Sequence, residues 1–269
     1  MTSPAQRSPR LDQLAQVYDD QIAPCWEARF TRLLLRGLVI PERAQVLDAA
    51  CATGNLAVEL VRRLPEGARL IAIDGSSALL DVARRKLAGQ AGSRQVFLRT
   101  ERGAPKLPFA DAVYDVALGT LGAVDGTRLA ASARELARVT KPGGEVRLAL
   151  PLAGTFEEIH DLLREVLVKH DKHEALARLE QHLARAPTFE DVERALAEAR
   201  LAGAVEVEPF TLLFRSAREL FFSPVIEHGP LPQWKAIAGG GQEMQDVFWY
   251  VKEAIDAYFG GGPFQVSVH

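Results

Sequence analysis

Cysteine is scarce in this chain of 269 residues: there are two, Cys25 and Cys51. Two thiols give no disulfide framework, and Cys51 lies inside a turn of small residues that a disulfide would distort. Both read as reduced thiols of an intracellular protein. Long hydrophobic runs are also absent. No stretch approaches the ~18 apolar residues of a membrane span, and the polar N-terminus lacks the apolar core of a signal peptide. The expectation is a cytoplasmic protein without membrane association. Charge of one sign is missing too. The net charge is −3 and no Lys/Arg run exceeds Arg84-Arg85-Lys86, so nothing here predicts nucleic-acid binding. Residues 170, 173 and 182 are histidines, but their spacing on a charged helix without a cysteine partner is poor metal-ligand spacing, and no metal is expected.

What is present is alternation. Apolar β-branched runs at 45–49, 69–73, 95–98, 115–118 and 145–150 are separated by helical patterns at about 55–64, 77–87 and 128–140. Strands alternating with helices predict a parallel, doubly wound α/β sheet. Ahead of it, residues 11–38 carry apolar positions at helical spacing, divided by Pro24, and residues 1–10 read as disordered. After it, 155–186 reads as one or two amphipathic helices. Then come a helix opening at Pro187-Thr-Phe-Glu190, a strand at 205–214, helices at 217–222 and 242–259, and a final strand at 264–269.

The chemistry concentrates after the first strand. Asp48 ends it, a turn of small residues follows, and a helix begins near Asn55. Small side chains let backbone approach a ligand closely, and a helix start favours a negative group. The NAD fingerprint needs G-x-G-x-x-G here, and only Gly54 is in place; the phosphate loop needs Gly-Lys-Ser/Thr, which is missing. Asp74 directly follows the second strand, 20 positions beyond Gly54, where a carboxylate can accept hydrogen bonds from two ribose hydroxyls.

On these residues the chain resembles the class I S-adenosylmethionine-dependent methyltransferases. The motif Val46-Leu-Asp-Ala-Ala-Cys-Ala-Thr-Gly54 is similar to the family's V-L-D-x-G-C-G-T-G. Ala72-Ile-Asp-Gly-Ser-Ser77, Leu107-Pro-Phe-Ala-Asp-Ala-Val-Tyr-Asp-Val116 and Arg138-Val-Thr-Lys-Pro-Gly-Gly144 follow in the family's order, and Tyr18-Asp19 resembles a Tyr-Asp pair that closes over the cofactor. The resemblance implies a mostly parallel, seven-stranded Rossmann-like sheet over 11–154 and 187–269. A helical lid at 155–186, with 217–241 contributing, would interrupt it between strands five and six.

It also implies S-adenosylmethionine as cofactor and transfer of its methyl group, by in-line attack at the sulfonium methyl, to an acceptor. The implied cofactor residues are Tyr18, Asp48, Ala49, Ala50, Ala52, Gly54, Asp74, Gly75, Ser76, Thr100, Glu101, Gly119 and Thr120. Two departures stand out. Ala50 and Ala52 replace motif glycines, tolerable if φ stays negative. A Gly-Asp that binds adenine is replaced by Arg99-Thr-Glu-Arg-Gly103, leaving Thr100 or Glu101 to substitute. His160, Glu157 and Asp125 follow strands at the carboxyl edge and are the acceptor-side candidates, each weighed against a plain helix-face role. Short similarities at Gly154-Thr-Phe-Glu-Glu158 and Phe214-Arg-Ser-Ala-Arg-Glu-Leu220 to the malonyl-acyl-carrier-protein methyltransferase branch favour a small-molecule or carrier-bound acceptor, met by a monomer or homodimer. Nucleic-acid methylation has no Asn-Pro-Pro-aromatic tetrad after strand four. The competing reading is a non-catalytic cofactor-binding or interaction protein on the same fold.

Overall fold

The computed structural model describes residues 9–101, 106–122, 126–260 and 262–269. They form two compact units, one of the described residues up to Leu150 with Glu190–Ala204, the other of Pro151–Phe189 with the described residues from Val205 on. The first unit opens with α1 (Pro9–Val17), a π-helical turn (Tyr18–Ile22) and α2 (Glu27–Leu35). Pro9 and Arg10, expected to be disordered, are the first residues of α1. Five strands follow, with helices between them: β1 (Gln45–Asp48), α3 (Asn55–Val61), β2 (Arg69–Asp74), α4 (Ser77–Leu87), β3 (Val96–Thr100), β4 (Tyr114–Thr120), α5 (Gly126–Val139) and β5 (Thr140–Ala149). α8 (Phe189–Glu198) also lies largely in this unit.

The sheet runs β3-β2-β1-β4-β5, every neighbouring pair parallel. Its middle strands are buried on both faces, so they read as unbroken apolar runs: Val46 and Leu47 in β1, Val116 to Leu118 in β4. One core gathers Leu47, Ile73, Tyr114, Ala117, Leu136 and Val139. α5 contributes by placing Leu129, Ala133, Leu136 and Val139 on one stripe. α4 is started by Ser76, whose hydroxyl accepts from the Leu79 amide at 3.4 Å, and its last turn carries Arg84, Arg85 and Lys86, which complement the helix dipole. Strand order reverses between β1 and β4, and ligands of such sheets bind beyond the strands' carboxyl ends at that reversal.

The second unit comprises α6 (Glu157–Lys169), α7 (His173–Leu183), β6 (Phe210–Phe214), α9 (Ala217–Phe222), α10 (Pro224–Glu227), α11 (Leu231–Ala238), α12 (Gly241–Tyr258) and β7 (Phe264–Val268). Here the expectation of seven strands in one sheet is corrected: β6 and β7 pair antiparallel with each other in a separate two-stranded sheet. The reason is in their alternation. Phe264, Val266 and Val268 are buried while Gln265 is exposed, and Leu212 and Phe214 are buried while Thr211 and Leu213 are exposed. Strands with one buried face suit a ribbon packed on helices, not the middle of a parallel sheet. β6 is also shorter than the expected 205–214, because Pro209 lacks the amide a ladder needs. No helix among the described residues is long and apolar enough to cross a membrane.

Candidate functional site

The turn after β1 is pinned to both neighbouring strands. The Ala49 amide donates to Leu118 O on β4 at 2.9 Å, and the Cys51 amide donates to Ile73 O on β2 at 2.9 Å. The Gly54 amide then closes back onto Cys51 O at 2.7 Å. Gly54 itself lies at φ +80°, and a Cβ there would come within 2.8 Å of the Ala83 Cβ, so glycine is required both by conformation and by close approach to α4. Ala52 lies at φ +45°. The condition that alanine keep a negative φ is therefore not met at Ala52, which occupies the left-handed region where the related motif has glycine.

Asp74, at the end of β2, braces this turn. Its Oδ2 accepts the Ala52 amide at 3.1 Å and its Oδ1 accepts the Ser76 amide at 2.8 Å. Each oxygen retains acceptor capacity for a further donor. Burial pushes its carboxyl up, and the two amides oppose that shift. Asp48 is fully buried. Its Oδ1 has one long contact from the Ala50 amide at 3.4 Å, and its Oδ2 has no partner. Burial, reinforced by the charges of Glu27 and Asp74, pushes it up to about 8. Burial likewise raises the Cys51 thiol well above its usual range, which leaves it an inert packing group.

Sequence reasoning missed Glu27. It heads α2 on that helix's apolar stripe, with Phe30, Thr31 and Leu34. Its Oε2 accepts from Asn55 Nδ2 at 3.1 Å, and the Tyr18 hydroxyl donates to it. Burial moves Glu27 up to about 7 and lifts the Tyr18 phenol far above its usual value. Lys86 Nζ donates to Asn55 Oδ1 and to Asp19 Oδ1, the latter at 2.6 Å. The π-helical turn, α2, α3 and α4 are thus tied together around the turn after β1. A carboxylate in an apolar helical stripe was the available signal.

The other expected residues are placed as follows. Thr100 lies opposite Asp74 in the β2–β3 register, and the Glu101 amide donates to Asp74 O at 3.0 Å. The Glu101 carboxylate is paired with Arg99 at 2.7 Å. Gly75 and Ser76 follow Asp74 directly, and Gly119 and Thr120 end β4 beside β1. A Cβ on Gly119 would press to 3.3 Å on Leu136 and Leu148. Asp125 lies outside the described residues. His160 and Glu157 both lie on α6 in the second unit. Glu157 is exposed. His160 is buried, its Nε2 accepting from the Trp234 indole at 3.0 Å, and burial lowers it to about 4. No group of three or more His, Cys, Asp or Glu among the described residues is placed to hold a metal ion.

The comparisons with known proteins fall on the same segment. Residues 46–144, from β1 into β5, match the family described as methyltransferase domain. That segment of the chain is similar to a methyltransferase domain. Over 144 residues the chain is 28% identical to the ubiquinone/menaquinone biosynthesis C-methyltransferase of Geotalea daltonii, covering 52% of this chain and 57% of that one. Over 122 residues it is 33% identical to the malonyl-[acyl-carrier protein] O-methyltransferase of Serratia marcescens, covering 45% and 44%. The chain thus spans about half the length of the curated relatives it matches. The crystal structure of the YcgJ protein of Bacillus subtilis has a TM-score of 0.54 at 16% identity, over 90% of this chain and 94% of that one, a likeness of fold alone. The matched segment therefore coincides with the sheet and turn on which Asp48, Ala52 and Asp74 are set.

Proposed function

We propose that this protein transfers a methyl group from S-adenosylmethionine to a small-molecule or carrier-bound acceptor. The observation that carries the reading is the Asp74 brace. One carboxylate at the end of β2 holds the Ala52 and Ser76 amides, and its remaining acceptor capacity suits a ribose diol. The orphaned Asp48 Oδ2 supports the same reading, since a buried carboxylate oxygen without a donor fits a ligand that brings positive charge.

In this reading Asp74 binds the ribose, with Gly75 and Ser76 shaping the turn beside it. Ala49, Ala50, Ala52 and Gly54 bring backbone close to the ligand. Gly119 and Thr120 close the β4 side, and Thr100 with Glu101 borders the adenine. Tyr18 stands over the site from the π-helical turn. When bound, the cofactor supplies an electrophilic methyl on a sulfonium centre, so the chain's own work is positioning and exclusion of water. A general base is not needed for a carboxylate acceptor. His160 is not that base: its Nε2 lone pair is taken by Trp234, and a group lowered to about 4 is a weak base. Acceptor choice is assigned to the insertion 155–186 together with 217–241. The relatives named for quinone and carrier-protein methylation motivate a test set of ring-carbon acceptors and carrier-bound carboxylates.

The test is S-adenosylhomocysteine production from S-adenosylmethionine with those acceptor sets, beside direct binding of both cofactor forms. Acceptor-dependent product is expected. Binding without turnover on any acceptor supports the non-catalytic reading, which the strained Ala52 favours. Absence of binding overturns both.

A further inference from the structure

A cavity of about 580 Å³ lies between α2 and α3 in the first unit, and none of the turn residues 49–54 lines it. Small-molecule sites span roughly 300–1,000 Å³, so the space suits one small ligand. On α2 its wall recurs at helical spacing, with Ala28, Thr31 and Leu35 on one stripe and Arg32 and Arg36 beside them. Val58 and Glu59 of α3, with Arg63 just beyond that helix, form the opposite side.

Thr31 is the observation that points to a ligand. It is 6% exposed, and its Oγ1 is a buried oxygen without a hydrogen-bond partner. A helical threonine often returns its hydroxyl to the carbonyl one turn earlier, and this one does not. An unpaired buried hydroxyl is destabilising unless a partner reaches it. The charge of the wall sets the sign of that partner. Three guanidinium groups, those of Arg32, Arg36 and Arg63, share the wall with one carboxylate, Glu59. Glu59 is itself bonded to Arg62, outside the wall, at 2.7 Å. Arg63 donates to the neutral Leu35 O at 3.1 Å, which holds its guanidinium at the last turn of α2. Of the five N–H groups of a guanidinium, that bond uses one. The cavity is therefore basic toward the end of α2 and apolar toward Pro24 and Ala28.

We propose that this cavity binds a small amphipathic anion, with a carboxylate or phosphate head on an apolar stem. The head lies against Arg32, Arg36 and Arg63 and accepts from the Thr31 hydroxyl, while the stem runs past Ala28 and Val58 toward Pro24. Guanidinium forks match both oxyanions in shape and charge. The site is independent of the cofactor reading, and its test needs no cofactor.

Calorimetric titration of the full chain with octyl phosphate and with octanoate, each below its micelle concentration, tests it. Octanol and inorganic phosphate present the stem and the head alone. One octyl phosphate or octanoate is expected per chain, bound about tenfold or more tightly than either fragment. The tighter of the two identifies the preferred head. Arg32→Gln leaves the Leu35 carbonyl bonded to Arg63 and is expected to weaken binding about tenfold. Arg63→Gln is the second charge variant, and unchanged circular dichroism spectra verify both folds.

Thr31→Val keeps the side-chain shape and removes the hydroxyl, so binding is expected to weaken about threefold to tenfold. Its urea midpoint is expected to stay level or rise, because an unpaired group is removed. A lower midpoint marks a hydroxyl already partnered within the fold and refutes the premise. No saturable binding at millimolar ligand overturns the proposal, as does equal affinity in wild type and all three variants, which marks adventitious adsorption. Octanol or inorganic phosphate binding as tightly as octyl phosphate contradicts the amphipathic anion.

Discussion

At φ +45°, Ala52 holds a conformation that costs an L residue roughly 1–2 kcal/mol relative to glycine. Asp74 keeps it there by accepting its amide. Ala52→Gly is therefore expected to raise stability by about 1 kcal/mol, read as a higher urea midpoint at unchanged slope. Gly54→Ala runs the other way: at φ +80° and 2.8 Å from the Ala83 Cβ it combines conformational and steric strain, and a loss of about 2 kcal/mol or more is expected. The placing of Asp48 and Asp74 at strand ends and of a helix start at Asn55 was readable from sequence. The sign of φ at Ala52 was not, since it follows from how Cys51 and Gly54 fold back onto β2 and onto the turn itself. Glu27 was readable in principle, as a carboxylate in the stripe Glu27, Phe30, Thr31, Leu34.

Among the elements, α6 and α11 meet through the hydrogen bond from Trp234 to His160. The bond needs a neutral Nε2, and burial lowers the folded-state imidazole from 6.5 to about 4. A base whose folded pKa lies below its unfolded one contributes stability that is complete above about pH 6.5 and is lost as pH falls toward 4. His160→Gln keeps an acceptor for the indole and removes this titration. Its urea midpoint is expected to change less than that of wild type across that window. Trp234→Phe strands the imidazole and is expected to cost roughly 1–3 kcal/mol at neutral pH. Helices with clear caps and stripes, α4 and α9, were legible to the residue. α10 and α11 were not: each carries a proline, Pro224 and Pro232, in its first turn, where proline loses no hydrogen bond. The sixth and seventh strands were visible as strands, but their one-sided burial, which separates them from the parallel sheet, shows only in the packing.

For the whole molecule, the buried acids couple folding, pH and ligand. Glu27 at about 7 and Asp48 at about 8 bind protons in the folded chain that the unfolded chain has released. Stability from these groups is therefore complete below about pH 4 and is lost as pH rises through 7 to 8. A ligand that brings an ammonium group to these acids prefers their ionised forms, so the thermal shift produced by saturating S-adenosylhomocysteine is expected to be larger at about pH 8 than at about pH 6. That the five strands form a parallel sheet followed from the strand–helix alternation; their order, β3-β2-β1-β4-β5, did not.

The proposed cofactor site is the turn after β1 together with the Asp74 carboxylate. Titrating S-adenosylhomocysteine into wild type and Asp74→Ala tests this directly. Saturable binding to wild type, weakened about tenfold or more in the variant, is the predicted result. No heat at millimolar ligand, or equal affinity in the two proteins, would contradict it.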